Sequence, residues 1–282
     1  THTEAMRNAL YQELGLDRPW YEQYVNWLAG FITGTNVSLQ TGEVISQIIR
    51  RQLPVTMLLS LYVMALSALF SAPLGVIAAT NRGKWPDYLV RGVTLSGLAV
   101  PAVWSSLILL MLLAKMLKGV GPIFYSSLRE NPADHISLMI WPVLLLTWEY
   151  SSHLVRILRS TVIDELGKEY ISVAMAKGQR RKVVILRYAL RNSLIPPLSS
   201  AGLMFGSLIG GSIVLESVFG IPGIGRGIAQ AALARDFTVV LSLAFLLIII
   251  YGLLNIFVDA TSWILDPRIS ENERASSQGI RG

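Results

Sequence analysis

The sequence predicts an all-α integral membrane protein with five transmembrane helices, an external amphipathic helix ahead of them and a long cytoplasmic loop. Three observations carry this. Of the 282 residues 52% are hydrophobic and only 15% charged, well under the quarter usual in soluble domains. Between Arg51 and Arg82, Arg91 and Lys115, Arg191 and Glu216, and Asp236 and Asp259 no charge occurs. Each gap is long enough to cross a hydrocarbon core of about 30 Å as a helix. Lys and Arg are also spread unevenly over alternate connecting segments, which sets an orientation.

Taken in order, residues 1–52 form an external or interfacial segment. Within it Trp20, Tyr21, Tyr24, Trp27, Leu28 and Phe31 recur at helical spacing. Trp and Tyr suit a helix lying along the outer membrane face; a plain cap over the span ends fits the same pattern. The spans read as 53–80, 92–116, 136–158, 193–216 and 237–265, together a transmembrane domain of 53–265, followed by a cytoplasmic tail of 266–282. The third is an apolar run broken by Glu149 and His153, with Arg156 near its end. Pro73, Pro101 and Pro142 fall inside spans, where neighbouring helices can satisfy freed carbonyls.

Segments 82–91, 156–191 and 259–282 carry 15 basic and 8 acidic residues, whereas 1–51, 115–135 and 216–236 carry 9 and 9. The positive-inside rule places the first set in the cytoplasm, with the C-terminus. The N-terminal segment is then external, yet Thr1–Leu14 has neither the charged start nor the apolar core of a signal peptide. The expectation is that a first transmembrane helix is missing from this chain. The net charge of +6 is thus a topology signal, and no nucleic-acid partner is implied. With no cysteine, disulfides, thiolate metal sites and thiol catalysis are excluded.

Residues 164–197, DELGKEYISVAMAKGQRRKVVILRYALRNSLIPP, spend over thirty positions on one reversal of direction. Ile171, Ala174, Met175 and Gly178 lie at i, i+3, i+4 and i+7, a small apolar helical face that lets a partner's backbone approach. Gly178 permits the positive-φ turn that ends a helix. Arg180, Arg181 and Lys182 follow, available to headgroups or acidic partner residues. The competing reading is a solvated loop that stabilises its own bundle. No G-x-x-x-x-G-K-[ST] occurs in the chain, so any nucleotide chemistry belongs to another subunit.

Glu169-Tyr170-Ile171 through Ala174, Ala176-Lys177-Gly178, then Leu190-Arg191-Asn192 and Pro196 resemble the cytoplasmic signature loop of binding-protein-dependent ABC importer permeases. The match continues in Gly210-Gly211-Ser212, Glu216-Ser217-Val218-Phe219-Gly220, Pro222-Gly223, Gly225-Arg226 and Ala234-Arg235-Asp236-Phe237, and closes in Asp259 and Leu265-Asp266-Pro267-Arg268-Ile269. Upstream, Glu13-Leu14-Gly15-Leu16-Asp17 and Leu53-Pro54-Val55-Thr56 also fit. Together these resemble the first permease subunit of the dipeptide, oligopeptide and nickel-chelate transporters. The resemblance implies a type I permease bundle with six spans, in a prokaryotic cytoplasmic (inner) membrane. It further implies a second homologous permease, two cytoplasmic ATPases and an extracytoplasmic substrate-binding protein as partners, besides membrane lipid. No cofactor is implied in this chain; ATP and Mg would sit on the ATPase subunits. Glu169, Ile171, Ala174, Met175, Ala176 and Gly178 are the residues it points to for ATPase coupling.

Other candidates come from the spans. Gly202, Gly206 and Gly210 stack on one helix face and allow close helix approach, either against the partner permease or path or within the subunit. Glu149 and His153 are candidates for the translocation path, since an ionisable group inside a span costs about 2.5–3.5 kcal/mol on insertion scales and so faces water or a partner. A structural Glu149–His153 pair is the alternative, and a proton-coupled carrier built on that pair is the rival function. In the outer loop, Glu216, Phe219, Pro222, Gly223 and Arg226 are candidates for an external gate or for docking the binding protein, in a turn-rich run. Structural pairing of Glu216 with an arginine is the plain reading there. No H-E-x-x-H or G-x-S-x-G occurs, and neither an enzyme nor a metal site is expected.

Overall fold

A computed structural model describes residues 17–116 and 125–265. The Glu13–Leu16 part of the upstream motif, the tail 266–282 and the side chain of Asp259 lie outside the described residues. Among the described residues the chain is helical, with an isolated antiparallel bridge between Val37 and Val44.

The helices are α1 (Trp20–Thr33), α2 (Ile45–Thr80), α3 (Trp85–Ala99), α4 (Ala102–Met116), α5 (Pro132–Leu166) and α6 (Glu169–Ala176). They continue as α7 (Arg181–Ser193), α8 (Ile195–Gly211), α9 (Ile213–Val218), α10 (Ile224–Leu233) and α11 (Phe237–Leu265). α2 and the Phe237–Val258 part of α11 are long and apolar enough to cross a membrane by themselves. α2 begins at Ile45, so the division at 52/53 falls inside a helix.

One predicted span falls on a bent pair, and another begins at a bend. The stretch 92–116 is not one straight helix: α3 and α4 meet at 98°. Pro101 removes an N–H, and Val100 before it is held extended at φ −91°, ψ 117°, the conformation a following proline favours. Each half has 15 residues, about 22 Å of helix, so only the pair approaches a bilayer's depth. α7 and α8 bend by 46°, with π-helical winding over Val184–Ala189 and Pro196 in the first turn of α8. Pro73 and Pro142, by contrast, stay inside α2 and α5. α5, at 35 residues, has ample length to cross and carries Glu149, His153, Arg156 and Arg159 along it.

The core forms where α2 and α5 run together. Val55, Leu59 and Val63 pack on Met139, Val143 and Leu146, with Leu208, Leu215 and Ile221 closing the cluster. Glycines set the closest approaches: a Cβ on Gly75 of α2 would stand 2.9 Å from Leu158 Cδ2 of α5. α3 packs on α5 through Gly97, and Trp148 Nε1 donates to the Val93 carbonyl at 3.1 Å. With lipid as solvent such close packing and interhelical hydrogen bonds carry the association.

The N-terminal aromatic stripe divides. Trp27 and Phe31 pack edge-on to Phe245 of α11, with ring centroids 5.3 and 5.2 Å away. Trp20, Tyr21 and Tyr24 remain exposed. The hairpin after α1 is tied to the other end of the chain, because Asp236 accepts from the Ser38 hydroxyl and caps the first turn of α11 at Val239 N. α1 is therefore fixed to the bundle by its C-terminal half.

Candidate functional site

Four side-chain groups outside the apolar core have the composition of functional elements. The first is the loop between α5 and α8. α5 runs on to Leu166 and α8 starts at Ile195, so the irregular part is shorter than 164–197. α6 ends where Gly178 takes φ +79°, as the sequence predicts. Glu165 anchors the loop: its carboxylate receives the Tyr170 hydroxyl, Asn192 Nδ2 at 3.2 Å and the Lys168 ammonium. At the base, Thr161 Oγ1 donates to the Ser193 carbonyl at 3.0 Å and Ser193 Oγ to the Thr161 carbonyl at 3.2 Å. The loop is thus clamped at both ends to α5.

That clamp divides the predicted face. Ile171 is buried against Val184 and Ala189, with Ala174 packed beside it, so Ile171 is an internal anchor and not a contact offered to an ATPase. Val173, Met175, Ala176 and Gly178 are exposed, as is Glu169 in the first turn of α6. The outward edge of α6 is apolar and keeps Met175 and Gly178 of the face that periodicity picked, with Val173 and Ala176 beside them.

Burial raises the Glu165 pKa, but the bonds from Lys168, Tyr170 and Asn192 outweigh it, and the net shift is downward. The folded loop therefore gains stability that is complete above the ordinary glutamate pKa of about 4.3 and lost as pH falls through the lower folded value. Limited proteolysis within 177–182 is expected to speed up below that range in the wild type. In Glu165→Gln the rate should be raised already at neutral pH and should not rise further with acid. An unchanged neutral rate in the variant would remove Glu165 as the anchor.

The second group is the outer turn between α9 and α10. Glu216 is fully buried, and among the described residues no guanidinium reaches it, which corrects the expected arginine pairing. Its Oε1 accepts from Thr56 Oγ1 and Ser212 Oγ, both at 2.8 Å, and Oε2 from the Arg226 backbone N–H at 3.0 Å. Thr56 in turn accepts from Ile224 N at 2.9 Å. The Arg226 guanidinium instead donates to the Gly220 carbonyl, where Gly220 holds φ +70°. A Cβ on Gly223 or Gly225 would run into Glu216. Glu216, Phe219 and Gly223 are buried and Pro222 and Arg226 partly so, so these side chains do not offer a docking surface; outward instead face Leu233, Ala234 and Arg235.

The third group lies midway along α5 and α8. Glu149 and His153 are half-buried. Among the described residues neither a hydrogen bond nor an ion pair joins them, so the structural Glu149–His153 pair is not formed. The Tyr150 hydroxyl meets the Ser207 side chain of α8 and lies 3.9 Å from where a Cβ on Gly211 would stand. Gly202 and Gly206 back onto Val258 and Tyr251 of this chain's own α11, whereas a Cβ on Gly210 meets nothing within 4 Å among the described residues. The three glycines therefore do not act as one surface.

The fourth group escaped sequence reading. Asp87, at the start of α3, is 1% exposed and receives Arg159 Nε at 2.7 Å and Nη2 at 2.8 Å. Gly83 N donates to it at 3.0 Å. A lone acid in a basic loop was the available signal.

A family model described as the binding-protein-dependent transport system inner membrane component matches residues 71–271. The chain belongs to this family. It is 33% identical over 272 residues to an oligopeptide transport system permease protein of Bacillus subtilis (strain 168), covering 95% of this chain and 86% of that protein. A dipeptide transport system permease protein of Alkalihalophilus pseudofirmus is 33% identical over 285 residues, covering 92% and 84%. A probable D,D-dipeptide transport system permease protein of Escherichia coli (strain K12) is 29% identical over 297 residues, covering 95% and 85%. Among solved structures, the MetNI methionine ABC transporter in inward-facing form superposes with a TM-score of 0.63 at 15% identity, over 78% of this chain and 97% of that one. An amino acid ABC transporter gives 0.59 at 12% identity, over 87% and 98%; these two likenesses concern the fold.

This binding-protein-dependent permease is thus the inner-membrane subunit of an ATP-driven importer and not an enzyme. Permeases of its family work with ATPase subunits, which hydrolyse the ATP, and with a substrate-binding protein. The proton-coupled carrier finds no support: the family's energy source lies in other subunits, and the Glu149–His153 relay it needs is not assembled.

Proposed function

We propose that this permease carries di- or oligopeptides and pairs with a second, homologous permease, above two ATPases that hold the ATP and Mg and below one binding protein. In this reading this chain itself needs no cofactor, the 164–197 loop and the C-terminus are cytoplasmic, and α6 passes ATPase closure to α5 and α8. The observation that carries the coupling role is the double clamp on that loop: a segment fixed to α5 through Glu165 and Thr161 transmits displacement instead of absorbing it. The cargo class is supported by the relatives, whose names specify oligopeptides and dipeptides.

Glu149 then faces the pathway and attracts a peptide's amino terminus. The test is uptake of labelled peptides into inside-out-corrected vesicles that hold the whole complex. Uptake is expected to need ATP and the binding protein and to persist when the proton gradient is collapsed. In Glu149→Gln the KM for free-amino peptides is expected to rise about fivefold, the size of one partly solvated charge contact, with no change for N-acetylated peptides. Uptake that follows the proton gradient would overturn the importer reading, and an equal effect on both peptide classes would take Glu149 out of substrate contact.

A further inference from the structure

Where α2 ends, the turn through Gly83 (φ +74°) leads directly into α3, and a cavity of about 380 Å³ opens against α5. Arg82, Gly83, Asp87, Arg91, Arg159 and Asp164 are among the residues that line it. Arg159 and Asp164 place it at the same end of the bundle as the loop that follows Leu166. The charges are not equivalent. Asp87 is buried and already receives the Arg159 fork and the Gly83 N–H, so its acceptor capacity is spent inside the protein. Arg82 and Arg91 are exposed, and among the described residues neither has an ion-pair partner. Three arginines against two aspartates leave the lining with one positive charge in excess, a match for a monoanion.

The surroundings set the height of this cavity in the membrane. Trp85 is 74% and Tyr88 61% exposed, next to an equally exposed Leu89. Exposed Trp and Tyr beside an apolar helix mark the headgroup level, with an apolar body toward the chains and a polar edge toward water. The Arg91 guanidinium lies 5.9 Å from the centre of the Tyr88 ring, which holds it over the interface. Trp85 and Tyr88 do not line the cavity but stand on the exposed face of α3, Tyr88 beside its Arg91; a soluble anion would have no use for them, whereas a lipid headgroup in the cavity brings its glycerol and upper chain to that face.

The geometry points to a binding site for the phosphodiester of an anionic phospholipid headgroup, with Arg82 and Arg91 as its ligands and Trp85 and Tyr88 against the glycerol and upper acyl chain. Paired guanidinium groups suit phosphate oxygens through charge-assisted hydrogen bonds. The ligand would sit on the α3–α5 contact that Asp87 and Arg159 hold, about two turns before the loop anchored by Glu165. This inference rests on the membrane assignment of the family and is independent of the cargo proposed above.

The test uses the solubilised importer complex, with short-chain phosphatidylglycerol and phosphatidylcholine as probes and native mass spectrometry as the readout of retained lipid. Wild type is expected to prefer phosphatidylglycerol roughly tenfold, within the range two interfacial arginines give. The double variant Arg82→Gln, Arg91→Gln is expected to lose that preference while keeping its melting temperature, since both side chains are exposed. Lys84→Gln is the control: it removes one charge from the same turn but does not line the cavity, and its preference should match wild type. Equal binding of the two lipids by wild type would overturn the site, and so would a Lys84→Gln variant as impaired as the double variant, because diffuse surface charge would then explain the result. Displacement of the lipid by millimolar inorganic phosphate would reassign the cavity to a soluble anion. A preference that emerges only after the ATPases are stripped away would assign it to an acidic group of that partner.

Discussion

Glu216→Ala is expected to destabilise the outer half of the bundle by about 3–5 kcal/mol, because the donors built around one carboxylate lose their acceptor together. A buried donor left unsatisfied costs about 1–3 kcal/mol, and here the Thr56 and Ser212 hydroxyls and the Arg226 and Gly225 N–H groups converge on Glu216. The hydroxyls can turn to other acceptors, which is why the sum falls short of one full penalty per donor. The Arg226 and Gly225 N–H groups cannot turn. Thr56 belongs to α2 and Ile224 N to α10, so losing Glu216 also removes one of the two hydrogen bonds by which Thr56 ties the outer turn to α2. Glu216→Gln keeps the shape and one acceptor but sets an amide N–H2 against a donor, and is expected to lie between the two. Gly223→Ala tests the same cradle from the other side, since its Cβ would displace the Glu216 carboxylate. The check is the melting temperature of the detergent-solubilised complex alongside ATP-driven uptake. Wild-type melting of Glu216→Ala would show that the carboxylate is not the hub of this turn.

How much of this was legible beforehand depended on the range of the interaction. Charge-free gaps marked the long apolar helices because a single ionisable residue is costly in lipid, and that signal is local. The fold at Pro101 was not legible: Pro73 and Pro142 sit in equally apolar stretches and stay within continuous helices, so a proline by itself does not separate a bend from a tolerated kink. In α6, periodicity marked the stripe of Ile171, Ala174 and Met175, yet the residues that claim part of it, Val184 and Ala189, arrive only after the Gly178 turn. An apolar face seeks its own chain before it seeks a partner, and spacing cannot tell which of the two it finds. Glu216 stood out as a charge in an apolar setting, but its partners are neutral hydroxyls and backbone N–H groups, one of them 160 positions away. Asp87 and Arg159, 72 apart, are joined only once α3 lies along α5. The family motif reached further than the physics of spacing here, since Tyr170, Asn192 and Thr56 all lie in stretches that carry the resemblance.

Met175→Asp is expected to lower retention of the ATPases by at least about a hundredfold and to abolish ATP-driven uptake, with no change in melting temperature. The argument follows from which edge of α6 faces out. Met175 is 45% exposed and Val173 53%, so neither is needed to close the loop's own small core, and a charge at 175 stays hydrated while the subunit is alone. Seating that edge in a partner's groove would strip water from the new carboxylate, a penalty of several kcal/mol without a compensating cation, and about 2.7 kcal/mol already amounts to a hundredfold. Ile171→Asp provides the contrast. At 5% exposure between Val184 and Ala189, its charge would have to be buried within the subunit, so the loop should loosen, proteolysis across 177–182 should accelerate, and coupling should fail as a consequence. Measured side by side, the two variants separate an interface from its support: Met175→Asp loses the ATPases from an intact loop, Ile171→Asp loses the loop first. Full ATPase retention and normal uptake in Met175→Asp would mean that the outward edge of α6 is not where the ATPase grips, and that coupling enters through another part of the segment clamped by Glu165 and Thr161.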